Sequence, residues 1–99
     1  MKKIRPIIAR TALVLAEVLG LSPADGMQIE IRSNLNDKLI ETIRKKGLTH
    51  AQVARLAKTS RTRVTAIMNR NIQDISTDLM LRILASLGVQ TKVIFQRAA

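Results

Sequence analysis

Helix-start signatures recur at short intervals along this chain, and their spacing leaves room for little except short helices. Ser22-Pro23-Ala24-Asp25 opens the first: a serine oxygen accepts early backbone amides, proline fits the first helical position, and aspartate faces the positive helix end. Met27, Ile31, Leu35, Leu39 and Ile43 then recur every fourth residue, which predicts a buried stripe on a helix running to about Lys46, with Gly47 as its stop. Ser33 to Asn36 are its weak point, because Ser and Asn compete for the backbone in mid-helix. Thr49-His50-Ala51-Gln52 has the spacing of a capping box and opens a short helix through Val53, Ala54, Leu56 and Ala57. Ser60 caps the next, whose inward face is Val64 and Ile67 and which Asn69-Arg70-Asn71 ends. Ser76 and Thr77 start another, with Leu79, Ile83, Leu84 and Leu87 on its apolar side and Gly88 at its end.

Two terminal segments complete the pattern. Residues 8–20 (IARTALVLAEVLG) are helix formers, apolar on almost every face except at Arg10, Thr11 and Glu17. Such a helix has to pack inside the fold, against a second copy, or against a partner. VQTKVIF (89–95) alternates Val89, Thr91, Val93 and Phe95 with Gln90, Lys92 and Ile94, the periodicity of a strand. One strand cannot form a sheet, so it either pairs with its copy in a second chain or covers an edge, and a homodimer is expected. No internal repeat or low-complexity tract is present. With 99 residues the chain holds one domain, 1–99. The expected class is all-α, five helices with a short C-terminal β-strand.

Composition narrows the partners. Lys and Arg number 17 against 7 Asp and Glu, a net charge of +10, which favours a polyanion and disfavours cationic substrates. Apolar residues at 46% against 24% charged argue for a folded chain. Without Cys there is no disulfide framework, thiolate nucleophile or zinc finger, and with His50 alone there is no histidine-rich metal site. A single Phe, with no Tyr or Trp, removes the platforms on which single strands usually stack. Duplex DNA passes that filter better than RNA. Lys2, Lys3 and Arg5 ahead of Thr11–Leu21 superficially resemble a secretory signal, but Arg10 abuts the apolar stretch, Glu17 interrupts it, and no small-x-small site follows before Pro23. No export signal, membrane span or membrane partner is expected, and the cytoplasm is the expected compartment.

Charge placement is the sharpest functional feature. Between Thr42 and Gln73 there is no Asp or Glu, while eight Lys or Arg residues and His50 fall there. That window contains the two shortest helices, joined by a tight turn, with Arg61 and Arg63 on the second. Charge runs are usually only solvated faces, but two short helices near a right angle, the second projecting polar side chains, suit a major groove about 12 Å wide. LTHAQVARLAKTSRTRVTAIMNR (48–70) resembles the XRE or phage-repressor helix-turn-helix, whose pattern reads roughly LTQxxLAxxLGVSxxxVSxxxxG. Leu48, Thr49, the small Ala54 at the helix crossing, Ser60, Val64 and Ile67 carry the likeness. His50, Lys58 and Thr59 depart from it, standing where the pattern has Gln, Gly and Val. A non-glycine residue in the left-handed region costs about 1–2 kcal/mol, so Lys58 either bears that strain or the turn differs.

With the preceding long helix, the segment 74–89 and the terminal strand, the layout is similar to HigA-type antitoxins and antitoxin-like regulators of that class. The resemblance implies a phage-repressor-like domain that binds operator DNA as a dimer and often neutralises a RelE or HigB-like ribonuclease toxin. The expected function is a sequence-specific double-stranded DNA-binding transcriptional regulator, a dimeric autorepressor and antitoxin of a type II toxin-antitoxin pair. The alternatives are a module that chiefly sequesters such a toxin, with 8–20 as its docking surface, and a stand-alone XRE repressor.

If the second short helix reads DNA, its first turn supplies Arg61, Thr62 and Arg63 to base edges, with Thr65 and Ala66 on the next turn. Arginine grips guanine O6 and N7, while Thr and Ala methyls suit the thymine methyl. Thr49, His50 and Ser60 lie near helix N-termini, where amides favour phosphate, and Asn69 and Arg70 follow the reading helix as further backbone contacts. His50 has no partner nucleophile and reads as a surface residue. The pairs Asp37/Glu41 and Asp74/Asp78 share helical spacing, but no metal-binding set or pocket glycines accompany them, so solvated or capping roles are expected. The four Met residues are read as filler. No enzymatic activity, cofactor or metal is expected.

Overall fold

A computed structural model describes Gly20 and residues 22–97. Four helices follow one another among them: α1 (Pro23–Lys46), α2 (His50–Ala57), α3 (Arg61–Met68) and α4 (Thr77–Ser86). Each starts where an oxygen-bearing side chain is ready to accept an early amide. Ser22 Oγ accepts from Asp25 N at 3.2 Å and Thr49 Oγ1 from Gln52 N at 3.1 Å. The reciprocal bonds, Ser22 N to Asp25 Oδ2 and Thr49 N to Gln52 Oε1, complete two capping boxes. Ser60 caps α3 and Ser76 caps α4 in the same way. Gly47, at φ 65, ends α1 in the left-handed conformation that glycine adopts without cost.

The core is aliphatic throughout. Leu39 and Ile43 of α1, Val53 of α2, Val64 and Ile67 of α3, and Met80, Ile83 and Leu84 of α4 are essentially removed from solvent. They join Leu35, Ala54, Ala57, Ile75, Leu79 and Leu87 in one cluster. Phe95, the sole aromatic residue, is 90% exposed and takes no part in it.

Several expectations need correction. The five-helix architecture with a terminal strand is not found: the described residues form four helices and no strand. The expected helix over 8–20 lies, apart from Gly20, outside the described residues. The segment 89–97 is irregular, with Val89 half-buried against the core and Val93, Ile94 and Phe95 exposed. Its alternating pattern does not make a strand here because no neighbouring strand among the described residues offers partners to its amides and carbonyls. The all-α class fits. The four-residue stripe on α1 also changes character along its length: Leu35, Leu39 and Ile43 are buried, whereas Met27 and Ile31 remain more than half exposed. A helix of 24 residues is about 36 Å long, longer than α3 and α4, the two short helices it packs on, so its first turns run beyond the core cluster.

Nor does α1 break at Ser33–Asn36. Asn36 is 2% exposed, and its Nδ2 donates to the Ile67 carbonyl at 2.9 Å. The amide that competes with the backbone in an isolated helix is here spent on a carbonyl of α3. Four residues earlier, Arg32 donates through Nη1 to Thr77 Oγ1 at 2.9 Å and through Nη2 to the carbonyls of Ile72 and Ile75, each at 2.6 Å. It ties α1 to the loop between α3 and α4, and nothing in its sequence neighbourhood announces that task.

The turn between α2 and α3 carries two local defects. Lys58 stands in the left-handed region at φ 56, ψ 48, so it bears the strain rather than altering the turn. Thr59 Oγ1 is buried without a hydrogen-bond partner, where the pattern's Val would bury only methyl groups.

Two substitutions test this account. Asn36→Ala removes one buried hydrogen bond to the Ile67 carbonyl, which keeps its bond from the Arg70 amide, and is expected to cost about 0.5–1.5 kcal/mol, read from the urea-unfolding midpoint. Thr59→Val removes the orphan hydroxyl and is expected to add about 1 kcal/mol by the same measurement. An unchanged or lower midpoint for Thr59→Val would mean that the hydroxyl finds a partner in solution.

Candidate nucleic-acid interface

The placement of α3 follows from its two inward residues. Val64 and Ile67 are fully buried, and on an eight-residue helix that anchoring leaves the first turn facing outward. Arg61, Thr62 and Arg63 are all exposed. Ala54, 7% exposed, sits on α2, the helix that packs most closely with α3. A larger side chain there would push the two apart. The turn is closed from within, as the Lys58 and Thr59 amides donate back to the Arg55 and Ala54 carbonyls at 3.3 and 2.9 Å.

The five proposed base readers fall into two groups. Arg61, Thr62 and Arg63 form the outward turn, whereas Thr65 and Ala66 are half-buried and Ala66 packs against the core. Thr65 Oγ1 is moreover hydrogen-bonded to His50 Nδ1 at 2.8 Å. His50, half-buried at the start of α2, thereby links α2 to α3 across the motif. Sequence reasoning treated the two separately, because they lie 15 residues apart and only the packing of the helices brings them together.

Among the proposed phosphate contacts, Thr49 and Ser60 are exposed and their oxygens already accept from Gln52 N and Arg63 N. Their hydroxyl hydrogens remain donors. Asn69 caps the end of α3 and is exposed. Arg70 follows in the left-handed region at φ 59, and its Nη1 contacts Asp37 Oδ1 at 2.6 Å. This ion pair between α1 and the end of α3 was not legible in the sequence, where Asp37 reads as the i,i+4 companion of Glu41. Glu41 instead lies 3.6 Å from Lys38 on its own helix. Asp78 occupies the first turn of α4. The carboxylates thus serve cations and a helix end.

Cations dominate the chain from the last turn of α1 to α3. The last turn of α1 carries Arg44, Lys45 and Lys46, α2 carries Arg55, the turn carries Lys58, and α3 begins with Arg61 and Arg63. No carboxylate lies in the sequence between Glu41 and Asp74. Among the described residues no cluster of His, Cys, Asp and Glu is placed to hold a metal ion, and no helix is long and apolar enough to cross a membrane.

Two short helices locked through Ala54, Val64 and Ile67, joined by a three-residue turn, with an exposed cationic first turn on the second, make a helix-turn-helix unit. A family model described as a helix-turn-helix domain matches residues 15–94. No curated protein and no solved structure matches the chain. Both the match over most of its length and the geometry of α2 and α3 place this chain in the helix-turn-helix domain family.

Proposed function

We propose that this chain is a sequence-specific duplex DNA-binding transcriptional regulator, active in the cytoplasm as a homodimer that represses its own promoter. The observation that carries this is the exposed Arg61-Thr62-Arg63 turn at the head of a helix anchored by Val64 and Ile67, inside a cationic window free of acids. An arginine at the head of a helix can enter the major groove and bond guanine edges, and each well-formed contact discriminates by about 1–3 kcal/mol. Thr62 supplies a methyl and a hydroxyl on the same turn. Thr49, His50, Ser60, Asn69 and Arg70 are the backbone contacts that set the register, and Thr65 and Ala66 contribute at the margin of the reading surface. There is no catalytic step and no cofactor in this function.

The resemblance to XRE regulators of the HigA type adds a second role, neutralisation of a RelE or HigB-like ribonuclease toxin. A dimer is favoured by the tail, whose Val93, Ile94 and Phe95 are 72%, 81% and 90% exposed in the single chain. Apolar surface of that kind gains by being covered, and two-fold symmetry would present two reading helices to a palindromic site.

Arg61→Ala is expected to relax sequence preference, lowering affinity for a duplex selected by the wild-type protein while sparing mixed-sequence DNA. Arg70→Ala is expected to weaken both alike and to shallow the salt dependence by about one unit of slope. Titrations of the two variants on both duplexes at several salt concentrations check this. Identical losses on every sequence for both variants would refute the assignment of roles. Leu15→Asp separates the regulatory and toxin-binding roles of the segment 8–20. Retained DNA binding and dimerisation in gel-shift and light-scattering measurements assign that segment to a partner protein, whereas loss of the folded state in circular dichroism assigns it to the core.

A further inference from the structure

Five described residues adopt a positive φ. Three are glycines, Gly20, Gly47 and Gly88, for which the conformation is free. The other two are Lys58, at φ 56, and Arg70, at φ 59. They are the residues that bracket α3, one in the turn before it and one just after its cap. Both stand where the helix-turn-helix pattern quoted above has glycine. So the two backbone positions best relieved by glycine hold long cations, and both strained cations flank the same eight-residue helix. Both are exposed. Arg70 is steadied by Asp37, its side chain still 58% exposed, whereas Lys58 has no ion pair among the described residues. Packing gives no reason for lysine at 58, since the side chain lies outside the core cluster.

We propose that Lys58 is a DNA-phosphate contact and that it forms with Arg70 a pair of cationic brackets at the two ends of the reading helix, each kept in a strained backbone because its charge is used on the nucleic acid. Strain that persists where a strain-free residue fits points to a function for the residue that bears it. Arg70 brings a full charge to the C-terminal end of α3, whereas Ser60 at the other end offers only a hydroxyl; Lys58, just beyond that end, supplies the matching cation that holds the helix axis against the duplex. This rests on the DNA-binding function proposed above, and it adds a residue that the motif itself does not supply.

The test uses the full chain and a 30-base-pair mixed-sequence duplex, with affinity measured by fluorescence anisotropy from 50 to 200 mM salt and fold stability measured separately by urea unfolding. Lys58→Gly is expected to raise the unfolding midpoint and yet to weaken binding, with the salt slope shallower by about 0.9, so that the affinity drop across that salt range shrinks about 3.5-fold. Lys58→Gln, which removes the charge without the added backbone freedom of glycine, is expected to show the same binding loss without the gain in stability. Lys58→Arg is expected to bind as the wild type does. Binding and slope unchanged in both Lys58→Gly and Lys58→Gln would overturn the proposal, as would a loss in Lys58→Gly alone, which would trace the effect to the shape of the turn. If the wild-type chain binds neither this duplex nor one carrying its own promoter, the DNA-binding function itself fails, an outcome distinct from either of these.

Discussion

Everything in this fold depends on the close contact of α2 with α3 over an aliphatic core. Val53, Val64 and Ile67 are excluded from water with Leu39 and Ile43 of α1 and Met80, Ile83 and Leu84 of α4. There is no aromatic ring among them to fill a large space, so the core relies on many small contacts, and a helix burying only Ala54 and Ala57 beside Val53 can come close enough to make them. If that contact were loosened, α3 would lose the two anchors that aim its first turn outward. The exposed cationic turn and the hydrophobic core are therefore two faces of the same eight residues.

Polar chemistry then refines what the apolar packing sets up. Asn36 and Arg32, both on α1, reach the Ile67 carbonyl at the end of α3, two carbonyls of the following loop and the Thr77 hydroxyl at the start of α4. Asp37, beside Asn36, meets Arg70. One stretch of α1 thus fixes where α3 ends and how its C-terminal cation is directed. At the other end the bond between His50 and Thr65 joins the start of α2 to the middle of α3. The stability of the unit and the geometry of its cationic face cannot be varied independently, since several of the same side chains serve both.

The defects are as informative as the bonds. Lys58 and Arg70 bear positive φ, and Thr59 buries a hydroxyl that lacks a partner. Natural proteins violate local rules at few places, and those places concentrate where function asks for something other than stability. Here all three lie immediately beside α3.

Local chemistry was enough to predict the four described helices and their starts, because a cap is an interaction between residues three apart and any chain carrying Ser22, Thr49, Ser60 or Ser76 in that setting can make it. The exposed Arg61-Thr62-Arg63 turn was legible for the same reason, once Val64 and Ile67 marked the inward face. Other features belonged to the tertiary structure alone. Whether Met27 and Ile31 are covered depends on how far the neighbouring helices extend beneath them; whether 89–95 is a strand depends on a partner strand; and the pairs Asn36 with Ile67, His50 with Thr65 and Asp37 with Arg70 span 31, 15 and 33 residues. Periodicity reports which face of an element is apolar, but it carries no information about what arrives opposite that face, and a hydrogen bond across such distances exists only after the chain has closed on itself.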